Sequence, residues 1–342
     1  MSKITVGIDI GGTNTAIGMV DRDGSVLFEQ IPQLPTPQKK ENYDLSQARS
    51  EEILEKYTDT LVAKIKEAID SVKQTTPDIE VAGIGIGAPN GNYYKGTIEL
   101  APNLPFVGVV QFTDMIKSKI PEIEIIKLTN DANAAALGEM IYGGGNGMKN
   151  FMMITLGTGV GSGLIVNGDL VYGHDGFAGE CGHIVVVPDG RLCGCGGLGH
   201  LEAYCSAPGI ARTVFELLAK YNKSDSELAG IPFNSMTSEI VYNAAVKGDE
   251  IAREAFEITG ELLGRGLATS VCHLSPEAIF LFGGASAAGD LIFKPTKDSM
   301  ERHVMPVFRN KVKILPSELK AGSAAIVGAS ALVWKELEKL GA

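Results

Sequence analysis

The sequence contains no apolar run long enough to span a bilayer. Its N-terminus, MSKITVGIDIGG, enters a strand pattern at once, without the basic region, apolar core and small-residue cleavage site of an export signal. Both absences point to a cytoplasmic chain with no membrane partner. Cysteine is scarce, five in 342 residues, and Cys181, Cys193 and Cys195 crowd together. A disulfide framework would be even-numbered and spread along the chain, so in a reducing compartment this cluster points to metal. Positive charge is also short. The 30 Lys and Arg against 41 Asp and Glu leave a net charge of −11, which argues against a nucleic-acid surface. No low-complexity linker interrupts the chain. With 44% hydrophobic and 21% charged residues over 342 positions, the make-up is that of a soluble protein of two domains, expected to pack closely around a cleft.

What is present is a pattern that occurs twice. ITVGIDI, GGTNT, AIGMV, DRDG and SVLFEQI read as strand, glycine turn, strand, polar turn, strand, which is an antiparallel meander. FMMITL, GTGVGSG, GLIV, NGD and LVYG repeat that order. Aligning IDIGGTN (8–14) with ITLGTGV (154–160) pairs Asp9 with Thr155 and Gly11 with Gly157. Few side chains match, so the repeat is one of pattern. Two such meanders can each present a glycine turn at a sheet edge and grip one ligand from two sides. Between them, Ile53, Leu54, Tyr57, Leu61, Ile65 and Ile69 fall at helical spacing within 50–73. VAGIGIGAP reads as a buried strand, NGNYYKGTIELAPNLPF as a loop, EIIKLT as a strand and NDANAAALGEMIY as a short helix. Beyond the cysteines the chain is mostly helical, with a late strand, AIFLFGG, and a terminal helix, GSAAIVGASALVWKELEKL. Residues 32–50, which begin with three prolines in six positions, read as an exposed loop with no function attached.

Several segments carry chemistry. In DIGGTNT, Gly11 and Gly12 let backbone N–H groups approach phosphate oxygens, and Thr13 and Asn14 can add hydrogen bonds. A strand follows this turn, so it is neither a Walker loop nor a Rossmann fingerprint. Asp9 places a carboxylate in an apolar strand, which is costly unless paired; hydrated Mg²⁺ beside phosphates would pair it. GTGVGSG, with Gly157, Thr158 and Gly159, is a flexible hairpin or a second phosphate grip. Asn130 and Asp131 are favoured helix caps. At the end of a strand they also face the ligand crevice of an α/β sheet, where a carboxylate can take a proton from an attacking hydroxyl. FLFGGASAAGD, with Gly283 and Gly284, is a tight strand-to-helix turn or a floor under a nucleotide. His183, Cys193, Cys195 and His200 follow the spacing H-x₉-C-x-C-x₄-H. Two thiolates and two imidazoles suit a closed, tetrahedral, structural zinc site.

Together these residues resemble the ROK family of sugar kinases, within the actin and hexokinase-like ATPase superfamily, and among its members the bacterial ATP-dependent glucokinases. The resemblance runs from DIGGTNT at residue 9 to GSAAIVGAS at 322. GECGH matches the family's E-x-G-H sugar motif. CGCGGLGHLE matches C-x-C-G-x-x-G-C-x-E except that the family's third cysteine is His200 here. The resemblance implies an α/β, two-lobed actin/hexokinase-like fold built from duplicated ribonuclease H-like domains with a cleft between lobes. Residues 1–130 plus 322–342 would form the smaller N-terminal lobe and 131–321 the larger lobe carrying the zinc loop. Asp131 would be the general base toward the sugar 6-hydroxyl, with Asn103, Asn130, Glu180, His183 and Glu202 bound to other hydroxyls. Gly11, Gly12, Thr13, Asn14 and the turn 157–161 would hold ATP phosphates, with Asp9 near Mg²⁺ and Gly283 and Gly284 at the nucleotide. His183 would face zinc with one ring nitrogen and sugar with the other. A homodimer is expected by the same analogy. The alternatives are a kinase for fructose, mannose, allose, N-acetylglucosamine or N-acetylmannosamine, with deciding contacts near 89–106 and 172–180, and a sugar-responsive repressor. Repressors of the family carry a helix-turn-helix ahead of the first glycine motif, for which a turn at residue 11 leaves no room. A zinc-dependent nucleic-acid module is weaker still, since RLCGCGGLGHLE offers one Arg and no aromatic.

Overall fold

The computed structural model describes residues 2–28, 34–38, 46–223, 225–320 and 322–341. Contacts divide the chain into two compact units: Met1–Gly147, Leu170–Ala178 and Glu318–Ala342 form the first, Met148–Asp169 and Gly179–Ser317 the second.

In the first unit, β1 (Ser2–Ile10), β2 (Asn14–Val20) and β3 (Val26–Phe28) form the expected meander, and the short β4 (Leu34–Pro35) pairs with the first residues of β2. Helix α1 (Gln47–Thr75) follows, capped by Ser46, whose side chain accepts from Arg49 N–H at 3.3 Å. Its residues Leu54, Tyr57, Leu61, Ile65, Ala68 and Val72 recur every three or four positions, and all are buried. Strand β5 (Ile79–Gly87) runs parallel to β1. The stretch expected to be a loop instead forms a small sheet of β6 (Gly91–Asn92), β7 (Thr97–Glu99) and β8 (Val109–Val110). Helix α2 (Phe112–Lys119), strand β9 (Ile126–Thr129) and helix α3 (Asp131–Tyr142) complete this part of the chain. The main sheet runs β3-β2-β1-β5-β9.

The second unit repeats the plan with β10 (Phe151–Leu156), β11 (Val160–Val166) and β12 (Asp169–Leu170), where the chain passes back to the first unit. Helices α4 (Glu202–Cys205), α5 (Ala207–Tyr221), α6 (Ser238–Lys247) and α7 (Glu250–Leu274) precede β13 (Ala278–Phe282), α8 (Asp290–His303) and β14 (Lys313–Pro316). Its sheet runs β12-β11-β10-β13-β14. In both sheets an antiparallel hairpin is followed by two parallel strands. Both hairpins close through three residues, 11–13 and 157–159. Asp9 and Thr155 each stand one residue before the end of their strand. The repeat is therefore one of topology and register, as a duplicated ribonuclease H-like plan requires.

Helix α9 (Ala324–Leu340) returns to the first unit and lies directly on its sheet. A Cβ on Gly7 would stand 2.0 Å from the Ile326 carbonyl oxygen, and one on Gly85 only 1.9 Å from that of Ala329. These two glycines face each other across β1 and β5, so their missing side chains make the bed for the helix. Helix α3 meets α9 through Gly138 and Gly328. That packing places 131–147 and 318–321 with the first unit, in contrast to the boundaries at 130/131 and 321/322 expected from sequence. Residues 170–178 also belong there. Tyr172 stacks on Tyr93 at 3.9 Å between centroids, Asn92 Nδ2 donates to the Asp175 carbonyl at 2.7 Å, and Tyr94 Oη to that of Gly173 at 2.9 Å. LVYG is thus a strand only at its first residue. The expected loop 32–50 contains β4 and the start of α1, and 32–33 and 39–45 lie outside the described residues. Among the described residues no helix is long and apolar enough to cross a membrane.

Candidate active site and metal centre

Three parallel strands bring acidic groups to one edge of the first sheet. Asp9 on β1 pairs with Gly87 on β5, which pairs with Thr129 on β9, and Asp131 follows two residues later. A Cβ at Gly87 would lie 3.6 Å from Asp131 Cα and 3.8 Å from Asp9 Oδ1, so the bare glycine is what separates the two acids. Strand ends of this kind are where open α/β sheets bind ligands. Burial first, and the neighbouring Asp131 second, push the Asp9 carboxyl up to about 7. The repulsion disfavours ionising both acids at once. Burial also raises Asp131, opposed by the Ala132 N–H, which donates to its Oδ1 at 2.8 Å. The Asp131 residue nonetheless keeps surface exposed to water. Asn130 is the helix cap, its Oδ1 accepting the same Ala132 N–H at 2.8 Å. Of the pair read from sequence as caps or base, Asn130 is the N-cap, and Asp131, at the first helical position, accepts the same N–H.

The first glycine turn stands next to this edge. Gly11 N–H donates to the Asn14 carbonyl at 3.0 Å, closing the turn, and Gly12 faces the exposed Asn103, whose Cβ would be 3.8 Å from an added side chain. Asp9, Gly11, Gly12, Thr13, Asn14, Asn103, Asn130 and Asp131 therefore all belong to the first unit.

The second unit holds the other candidates. Its turn closes through Gly157 N–H to the Gly159 carbonyl at 3.0 Å, with open space around Gly157. Gly283 adopts φ +103°, a region favouring glycine, and an added Cβ would strike the Leu156 backbone at 2.5 Å. Gly284 beside it faces open space. Glu202 connects the turn to the cysteine loop. Its Oε2 accepts from Val160 N–H at 3.0 Å, and Cys193 Sγ donates to its Oε1 at 3.4 Å.

His183, Cys193, Cys195 and His200 converge, with one ligand atom from each lying within 4.8 Å of every other. Tetrahedral zinc with N and S ligands spaces them about 3.3–3.8 Å apart. Here Cys195 Sγ is 3.1 Å from His200 Nδ1, and Cys193 Sγ 3.9 Å from His183 Nδ1. The donor set fits zinc in kind and number. The histidine in the position of the family's third cysteine points its Nδ1 into the group. His183 presents Nδ1 to Cys193 Sγ, and its Nε2 lies 4.0 Å from Glu180 Oε2. Burial pushes the Cys193 thiol up to about 11, with the Glu202 carboxylate adding to it.

Supporting residues were less visible in sequence. Arg191 opens the cysteine loop and fastens it, donating from Nη1 to the Ala203 and Gly209 carbonyls at 3.1 Å while its guanidinium lies 4.5 Å from the Tyr204 ring centroid. Ser162 Oγ donates to the Gly179 carbonyl and accepts from Cys181 N–H at 3.0 Å, fixing the chain on both sides of Glu180. Both residues sit in quoted motifs, and that position was their only signal. Gly87 was hidden in VAGIGIGAP, where nothing distinguished it from its neighbours.

A family model described as the ROK family matches residues 5–336. A glucokinase of Thermotoga maritima is 32% identical, covering 97% of this chain and 98% of its own length. A glucokinase of Halalkalibacterium halodurans is 34% identical over 97% of this chain and 95% of its own. Among solved structures, a ROK family glucokinase from Streptomyces griseus in complex with glucose and AMPPNP superposes with a TM-score of 0.76 at 31% identity, covering 97% of this chain and 99% of that one.

Proposed function

The chain belongs to the ROK family, and on that footing we propose that it is an ATP-dependent glucokinase with Asp131 as its general base. The reaction moves the γ-phosphoryl group of ATP to the 6-hydroxyl of glucose. Asp131 takes the hydroxyl proton as O6 forms its bond to phosphorus. The bond from phosphorus to the β–γ bridging oxygen breaks, and ADP leaves with that electron pair. Asn103, Asn130, Glu180, His183 and Glu202 accept or donate hydrogen bonds to the remaining hydroxyls and fix the pose, because phosphoryl transfer is mostly positioning and charge stabilisation. The carboxyl of Glu202, already engaged through both oxygens, keeps lone pairs for a hydroxyl donor. In the turns 11–14 and 157–161, the backbone N–H groups not already donated to Asn14, Gly159, Glu202 and Thr155 hold the phosphates, and Gly283 and Gly284 leave the nucleotide room.

Mg²⁺ beside Asp9 would neutralise phosphate charge, and a half-buried carboxyl held near 7 beside another acid is a position in want of a cation. Zinc held by His183, Cys193, Cys195 and His200 would be structural. With Nδ1 engaged, His183 keeps its N–H on Nε2, the nitrogen facing Glu180. The cysteine loop is then a clamp that aims one imidazole at a sugar hydroxyl. The reaction's need for ATP and the unpaired state of all five cysteines support a cytoplasmic location, family analogy supports a homodimer, and the net charge of −11 argues against a nucleic-acid partner.

The observation that carries this reading is the edge where Asp9 and Asp131 flank Gly87. A coupled assay of the purified protein with ATP, and then with polyphosphate, against glucose, fructose, mannose and the N-acetylhexosamines tests it. Glucose with ATP should give the highest kcat/KM; preference for another hexose, or no turnover, would contradict it.

A further inference from the structure

We propose that residues 34–38 are a strap that aims the backbone of the first glycine turn at the nucleotide's phosphates, with Thr36 and Gln38 as its positioning residues. This rests on the kinase reading above. Leu34 and Pro35 pair with Thr15 and Asn14 on β2. From there Thr36 N–H donates to the Thr13 carbonyl at 2.9 Å, and Gln38 Nε2 donates to the Gly12 carbonyl. The same Nε2 donates to the Thr36 carbonyl at 3.0 Å, which stiffens the strap. Thr36 is 2% exposed, and its Oγ1 meets Thr15 Oγ1 at 2.9 Å. Thr15 Oγ1 in turn lies 2.6 Å from the hydroxyl of Tyr57 on α1. Three buried hydroxyls thus moor the strap and the turn to the interior.

The consequence follows from peptide geometry. A peptide unit is planar and trans, so its N–H points opposite to the C=O in the same plane. With the Gly12 and Thr13 carbonyls held by the strap, the N–H groups of Thr13 and Asn14 turn to the other side. Carbonyl oxygens facing a triphosphate would repel it, whereas the donors of the same planes attract it. A three-residue turn with two glycines has little of its own to fix those planes, and the strap supplies the constraint. The second turn meets the same need with other parts. Ala207 N–H holds the Gly157 carbonyl at 2.8 Å, and Glu202 takes Val160 N–H. Each turn is fastened by a segment outside its own hairpin.

Gln38 is exposed, so replacing it leaves the core untouched. Titration calorimetry on wild type, Gln38→Ala and Gln38→Glu with a non-hydrolysable ATP analogue and Mg²⁺, and separately with glucose, tests the idea. Loss of one hydrogen bond implies about 2- to 10-fold weaker nucleotide binding in Gln38→Ala. Gln38→Glu, which puts a carboxylate beside that carbonyl, should lose more, with glucose affinity held within about twofold in both. Unchanged nucleotide affinity in both variants, or an equal loss for glucose and nucleotide, overturns the strap while leaving the kinase reading in place. Wild type that binds glucose and nucleotide not at all overturns that reading, and the strap with it.

Discussion

Replacing Asp9 with Asn should make the ligand-free protein more stable while abolishing turnover. The Asp9 carboxyl rises from 3.8 to about 7 in the fold, by burial first and by Asp131 second. At about 1.4 kcal/mol per pH unit this amounts to about 4 kcal/mol, and the residual contact of Asp9 with water trims it toward about 2 kcal/mol. Below about pH 4 the folded and unfolded chains both carry the proton. Between the ordinary value of 3.8 and about 7 only the folded chain keeps it, so stability falls as pH rises through that window and stays low above it. Asn cannot ionise and escapes the loss. Equilibrium urea unfolding of wild type and Asp9→Asn, without nucleotide or Mg²⁺, should show the variant gaining about 2 kcal/mol at about pH 8 and much less at about pH 5. Such a trade is expected where a site holds an unfavourable charge for a ligand that relieves it. A variant no more stable than wild type at about pH 8, or equally stabilised at both pH values, would refute the account of the acidic edge.

Stripping the proposed zinc with a chelator, or replacing Cys195 with Ser, should weaken glucose binding by about 10-fold, the usual scale for groups orienting a metal-bound histidine; equal glucose affinity with and without metal would end the clamp idea. Gly85→Ala should destabilise the first unit by about 3 kcal/mol, because its Cβ would stand 1.9 Å from the Ala329 carbonyl oxygen and force α9 off the sheet. A thermal unfolding midpoint within a degree of wild type would show that contact to be harmless.

Much of this architecture was legible because its signals are local. Gly11 and Gly12, and Gly157 and Gly159, mark hairpin turns whatever surrounds them, and the spacing of Leu54, Tyr57, Leu61 and Ile65 declares α1. What escaped reading depends on distant partners. Strands of two residues, such as Gly91–Asn92, carry no period. Leu34–Pro35 hid behind three prolines, yet an edge position tolerates proline, and β4 pairs there with β2. The return of 170–178 to the first unit depends on Tyr172 finding Tyr93 far earlier in the chain. The unit boundary is set by Gly138 meeting Gly328, which no linker composition announces. At the site, sequence could place Asn130 and Asp131 at a strand end but not tell cap from base. Both accept the Ala132 N–H; what distinguishes them is that Asn130 stands just before the helix as its cap while Asp131 lies across Gly87 from Asp9.

The proposed base, Asp131, is the most direct point of test. Asp131→Asn keeps the shape of the side chain and its hydrogen bond to Ala132 while removing the proton acceptor. Glucose binding by calorimetry should stay within about twofold of wild type, and kcat with ATP should fall by roughly 10²- to 10⁴-fold, the usual worth of a general base. Turnover retained near the wild-type rate would contradict the assignment of Asp131 and the mechanism built on it.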